Sequence, residues 1–151
     1  MEKNFKSELG DDLSKTKLGY YIDEVSKQER VLLNTEFQKI GITLSQFRVL
    51  NWLWRKGELT QKEIHELIQI KPSSLTNLLN ILIKKELVIR KVDNRDARVK
   101  KVGLTNKSKS LEPKAWSIIE NYDNKLKNVL SDSEYEITIK SLKKILNSFQ
   151  V

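Results

Sequence analysis

The chain has 151 residues, 38% hydrophobic and 32% charged, which suits one domain or two small layers sharing a core and a soluble globular chain, not a disordered one. It contains no cysteine and one histidine, His65, which excludes disulfides, thiolate nucleophiles and a peroxide-sensing thiol and leaves no ligand set for a His-rich zinc site, so neither a metal nor a cofactor is expected. Net charge is +8, no apolar run approaches the roughly 20 residues of a membrane span, and the polar opening "MEKNFKSELGDDLSK" does not read as a secretion signal, so a cytoplasmic protein without a membrane partner is expected.

In chain order, residues 13–40 carry Leu18, Ile22, Val25, Leu32, Phe37 and Ile40 at helical spacing, and Gly41 is a natural stop. Thr43 with Gln46 has the spacing of a capping box for a second helix, "LSQFRVLNWLWRK", ending at Gly57, and Thr60 with Glu63 repeats it for a short third, "QKEIHELI". Pro72 suits the first turn of a fourth helix, from about 72 to 85, with an apolar stripe through Leu75, Leu78, Leu79 and Leu82. The period then changes: "LVIRKV" and "VKKVGL" are short, rich in β-branched residues and joined by the polar "DNRDAR", which reads as a β-hairpin. Thr105 opens another long helix in which Pro113 implies a kink or a late start, and Ser131 with Glu134 caps a last one carrying Ile137, Leu142, Ile145 and Phe149. The fold class is therefore mainly α with a small β-hairpin wing. Residues 41–105 form a winged helix-turn-helix, and residues 1–40 with 106–151 form a helical domain whose broad apolar stripes call for a second copy, a homodimer.

The charge is concentrated. Residues 84–109 hold ten Lys and Arg against three Asp and Glu and contain no Phe, Tyr or Trp. A basic hairpin without stacking aromatics points to duplex DNA as the polyanion partner rather than to single-stranded RNA. In a helix-turn-helix the second helix enters the major groove with its opposite face on the core. The 72–85 helix divides that way, turning Leu75, Leu78, Leu79 and Leu82 inward and Ser73, Ser74, Thr76, Asn77 and Asn80 outward, with Lys71 just before them. Short hydroxyls and amides are poor helix filler but suit base edges and phosphates. The wing supplies Arg90, Arg95, Arg98 and Lys100; Arg is the better cation for a narrow minor groove, and Asp96, two residues before Arg98, is placed to pre-orient it.

The pattern Arg90-x-x-Asp93-x-x-Asp96-x-Arg98, then five residues and Leu104-Thr105, following "SSLTNLLNILIKKELVIR", closely resembles the signature of the MarR family of winged helix-turn-helix bacterial transcription regulators. The resemblance spans about residues 43–108, and the flanking helices fit that family's dimerisation domain in order and length. It implies that Arg98 is the minor-groove arginine with Asp96 as its positioning partner, and that Ser73, Ser74, Thr76 and Asn77 read the major groove. The sequence departs from the family at Asn77, where many members carry a basic residue, at Glu86, where Gly commonly precedes the first wing strand, and at Ser108, where Gly often follows the Leu-Thr pair.

The family also implies a small aromatic or phenolic acid bound between the dimerisation helices and the winged domain. Tyr20, Tyr21, Phe47, Trp52, Trp54 and Trp116 are the candidate lining of such a cleft, against the plainer reading that they are core. The function expected is a sequence-specific transcription regulator that binds a pseudo-palindromic operator as a homodimer, a repressor released by a small ligand. The alternative is a winged-helix protein-interaction adaptor or a nonspecific nucleic-acid-binding protein without an inducer. An enzyme is not expected: Asp93 and Asp96 lie on a basic tip with no nucleophile–base pair, Gly-rich phosphate loop or metal-ligand cluster beside them.

Overall fold

The computed structural model describes residues 17–149. Helix α1 (Leu18–Lys39) starts after an extended Lys17, later than the pattern from residue 13 implied, and residues 13–16 lie outside the described residues. Its end follows from Gly41, which takes φ +81° and lets its own N–H reach the Gln38 carbonyl while Ile42 N–H reaches Phe37. Those two bonds close a Schellman motif, with Ile42 and Phe37 both buried. Helices α2 (Leu44–Lys56) and α3 (Gln61–Ile68) open on the Thr43–Gln46 and Thr60–Glu63 capping boxes, and α2 stops at Gly57 with φ +80°. Helix α4 (Pro72–Lys84) has Pro72 in its first turn. After the wing come α5 (Asn106–Val129), N-capped by Thr105, and α6 (Asp132–Ser148), opened by the Ser131–Glu134 box. Because α5 begins at Asn106, Pro113 stands inside it rather than marking a late start.

The wing is not a simple hairpin. Strands β2 (Val88–Val92) and β3 (Lys100–Leu104), counted after a two-residue β1 (Leu59–Thr60), form an antiparallel sheet in the order β1-β3-β2, with Val102 opposite both Leu59 and Arg90. Two residues are too few to show a period, and β1 was not foreseen from the sequence. One face of this sheet turns Leu59, Val88 and Val102 into the core, where they join Leu50, Leu53, Ile64, Leu75, Leu79 and Leu82. The wing and α4 thus share one core.

Helix α4 ends like α1, with Glu86 N–H on the Ile83 carbonyl and Leu87 N–H on Leu82. Here the left-handed position is Glu86, at φ +58°, instead of a glycine. The strain is held by the Thr105 hydroxyl, which donates to the Glu86 carbonyl at 2.6 Å. A non-glycine residue in this region costs roughly 1–2 kcal/mol, partly offset by the entropy glycine loses on folding. Glu86→Gly is therefore expected to stabilise the fold by about 0.5–1 kcal/mol; thermal unfolding would show a raised Tm, and a lowered one would contradict this account of the turn.

Candidate nucleic-acid interface

Helix α4 divides as its stripe requires. Leu75, Leu79 and Leu82 are fully buried, Leu78 is half-buried, and Ser73, Ser74, Asn77 and Asn80 are exposed. Ser73, Asn77 and Asn80 follow one line of the helix at spacings of four and three residues. Lys71, exposed just before them, gives no side-chain cap, so the first turn keeps unspent N–H groups at the positive end of the helix dipole.

Two of the expected outward residues are engaged within the protein. Thr76 is half-buried; its hydroxyl accepts from Gln61 Nε2 of α3 at 2.8 Å and donates to the Pro72 carbonyl at 3.1 Å. Asn80 Oδ1 accepts from Arg90 Nη2 of β2 at 3.2 Å, so Arg90 ties the wing to α4 and Asn80 keeps only its N–H donors for another partner. Gln61 did not stand out in the sequence, because a bond across fifteen residues leaves no local pattern.

The wing tip is built on two carboxylates. Asp93 accepts the backbone N–H groups of Arg95 at 2.7 Å and Asp96 at 3.3 Å and pairs with Lys101 Nζ at 2.5 Å. Asp96 in turn accepts the backbone N–H of Arg98 at 2.9 Å, and the turn closes through Val99 N–H on the Asp96 carbonyl and Asp93 N–H on Val99. The Asp96–Arg98 contact is thus made to the backbone, not to the guanidinium. No carboxylate among the described residues pairs with Arg95, Arg98 or Lys100, which project exposed. The wing root is fixed separately by Lys91–Glu58 at 2.5 Å. That carboxylate crosses β3 at Gly103, where any Cβ would sit 3.3 Å from Glu58 Oε1.

The six aromatics do not line one cleft. Phe47 stacks on Phe37 at 4.6 Å and meets Trp54 at 6.2 Å and Trp116 at 6.1 Å, while Trp54 Nε1 donates to the Ser108 carbonyl at 3.2 Å. These three are packing between α1, α2 and α5. Trp52, on another side of α2, lies under Arg55 and Lys56, each 5.7 Å from its ring. Tyr20 and Tyr21 meet edge to face near the start of α1. A cavity of about 290 Å³ opens elsewhere, floored by Ile40, Leu87 and Leu111 and rimmed by Lys85, Lys107 and Lys114. Two of these lysines close helix ends: Lys85 donates to Gly41 O and Lys107 to Lys85 O, both at 2.8 Å. No cluster of His, Asp or Glu suited to a metal ion occurs among the described residues.

The Lys101 ammonium and the Arg95 and Asp96 N–H groups all favour the Asp93 carboxylate, lowering its pKa from 3.8 to about 2. Since the folded value is the lower one, the tip keeps this support above pH 4 and loses it as pH falls through about 2. In an NMR titration the Arg95 and Asp96 amides are expected to shift together with a midpoint near 2; a midpoint near the ordinary 3.8 would mean that Asp93 does not hold the tip.

Comparison with known proteins agrees with this geometry. Residues 42–100 match the model of the MarR family. Over 119 residues the chain is 30% identical to the transcriptional regulator MhqR of Bacillus subtilis (strain 168), covering 78% of this chain and 82% of that protein. Among solved structures, a cysteine-substituted MarR from E. coli complexed with operator DNA superposes with a TM-score of 0.79 at 25% identity, covering 91% of this chain and 99% of that one. A MepR–DNA complex from S. aureus superposes with 0.76 at 28%, covering 89% and 98%. These relatives are regulators, not enzymes, and the chain belongs to the MarR family of winged helix-turn-helix transcription regulators.

Proposed function

We propose that this regulator binds duplex DNA sequence-specifically as a homodimer in the cytoplasm, with α4 in the major groove and the wing in the flanking minor groove. The observation that carries the reading is an Arg98 held at its backbone by Asp96 and without a counter-ion among the described residues, beside an α4 face that exposes Ser73, Ser74 and Asn77. Lys71, Arg95 and Lys100 serve the phosphate backbone, Arg90 and Asn80 act together, and the free N–H groups at the start of α4 suit a phosphate. Residues 41–105 are the DNA-binding domain and residues 1–40 with 106–151 the dimerisation domain. The similarity to MarR and MepR, each solved with DNA, supports the DNA-binding part of this reading.

Dimerisation is supported by apolar side chains left in water. Helix α6 has no buried residue, and Ile137, Leu142, Leu146 and Phe149 are 63%, 45%, 61% and 77% exposed. On α1, Leu18 and Val25 are 61% and 56% exposed. A helix with an amphipathic stripe and nothing beneath it needs a partner, and a second copy offers the same stripe by symmetry. Leu142→Glu is expected to convert dimer to monomer in sedimentation while keeping the helical circular dichroism signal; a wild type that sediments as a monomer would refute the assignment.

A pseudo-palindromic operator follows from two-fold symmetry, and covering a promoter makes repression the output. A small aromatic or phenolic acid is the proposed releasing ligand. The lysine-rimmed cavity between α1, α4 and α5 suits it better than the packed aromatics, because it lies where a bound acid alters how α4 is carried by the dimer. Selection from a random duplex pool is expected to enrich an inverted repeat, and Arg98→Ala is expected to lower affinity about tenfold and flatten the preference for A·T-rich flanks, at the scale of one specific contact. If nothing is enriched, the chain is a nonspecific binder or an adaptor.

A further inference from the structure

Resting on the DNA-binding reading above, we infer that Thr76 recognises a thymine through methyl-to-methyl contact, its hydroxyl being retained inside the protein by Gln61 and the Pro72 carbonyl. A threonine offers a base edge either a hydroxyl or a methyl group. Here the hydroxyl has only one hydrogen, and both of its neighbours, at 2.8 and 3.1 Å, belong to the protein. Reversing the Gln61 amide does not release that hydrogen, since the amide oxygen and the Pro72 carbonyl are both acceptors. With Oγ1 turned toward α3 and toward its own helix, the methyl is the branch left for the groove. Thr76 is half-buried on the flank of the line formed by Ser73, Asn77 and Asn80, so it adds an apolar contact beside polar ones. The adjacent Ser73 and Ser74 hydroxyls have no partner among the described residues and remain the polar readers.

Gln61 is then a positioning residue for specificity. It stands at the first position of α3, beside the Thr60 cap, and reaches Thr76 across the helix-turn-helix. Its bond keeps the threonine from rotating its hydroxyl outward, where it would accept hydrogen bonds from several bases and blur the preference.

The test replaces each thymine of the selected operator in turn by deoxyuridine, which lacks only the 5-methyl group, and compares wild type with Thr76→Val, Thr76→Ser and Gln61→Ala. One symmetry-related pair of thymines is expected to be sensitive in the wild type, losing about three- to fivefold per half-site, the scale of one buried methyl group. Thr76→Val, which keeps the methyl and loses the hydroxyl, retains that sensitivity; Thr76→Ser loses it, while its affinity for the uridine duplex matches that of the wild type. Gln61→Ala lowers the discrimination between thymine and uridine without weakening binding to the uridine duplex, an effect that general loss of structure would not produce. A wild type indifferent to every thymine methyl, or a Ser variant that keeps the preference, overturns the proposal. Both differ from failure of the DNA-binding reading itself, in which the wild type selects no sequence. Thermal melting of the Val variant checks its fold, and the Ser variant decides the matter if the Val variant does not fold.

Discussion

The separation between α4 and the wing depends on one shared core. Leu75, Leu79 and Leu82 from α4 and Val88 and Val102 from the sheet are buried in the same cluster as Leu50, Leu53 and Ile64. Removing one such leucine typically costs 2–5 kcal/mol, so neither element slides without unpacking the other. The left-handed turn at Glu86 and the Arg90–Asn80 bond add local control to that packing. The proposed docking into two adjacent grooves of a stiff polymer needs this rigidity, because an error in spacing would lose one contact whenever the other is made.

Against that rigid frame, the exposed polar groups divide between structural and available ones. Thr76, Asn80 and Arg90 are tied to protein partners, whereas Ser73, Ser74, Asn77, Arg95, Arg98 and Lys100 have no side-chain partner among the described residues. At the tip, both aspartates act on the backbone. Asp93 and Asp96 shape the loop through N–H groups, and Asp93 draws Lys101 into an ion pair. A loop fixed in this way carries its arginine without neutralising it, which suits the role proposed for Arg98 in a narrow, strongly negative groove. Had Asp96 paired with the Arg98 guanidinium, that pair would have to be broken on binding.

Much of this was legible in the sequence, because helix ends are local events. Thr43 with Gln46, Thr60 with Glu63, and Ser131 with Glu134 gave the starts of three helices as observed, and Gly41 and Gly57 gave two ends. The inward stripe of α4 was equally clear. What could not be read were contacts between distant residues: β1, which exists only by pairing with β3, and the bonds from Gln61 to Thr76 and from Arg90 to Asn80. The six aromatics grouped as a candidate cleft lie apart for a different reason. Trp52 and Trp54 were grouped by helix, although two residues of a helix turn the chain by about 200°, and they point to different neighbours. The apolar stripe of α6 was visible in the pattern, and none of its residues is buried among the described residues.

The central claim is that two copies present two rigid helix-and-wing units to one face of a duplex. Hydroxyl-radical footprinting of the wild type on its selected duplex tests it most directly. The account requires two equivalent protected patches related by a dyad, their major-groove centres about one helical turn apart or a whole multiple of it, each flanked by protection of the adjacent minor groove. A single patch without a symmetry mate, or uniform protection along the duplex, would contradict it.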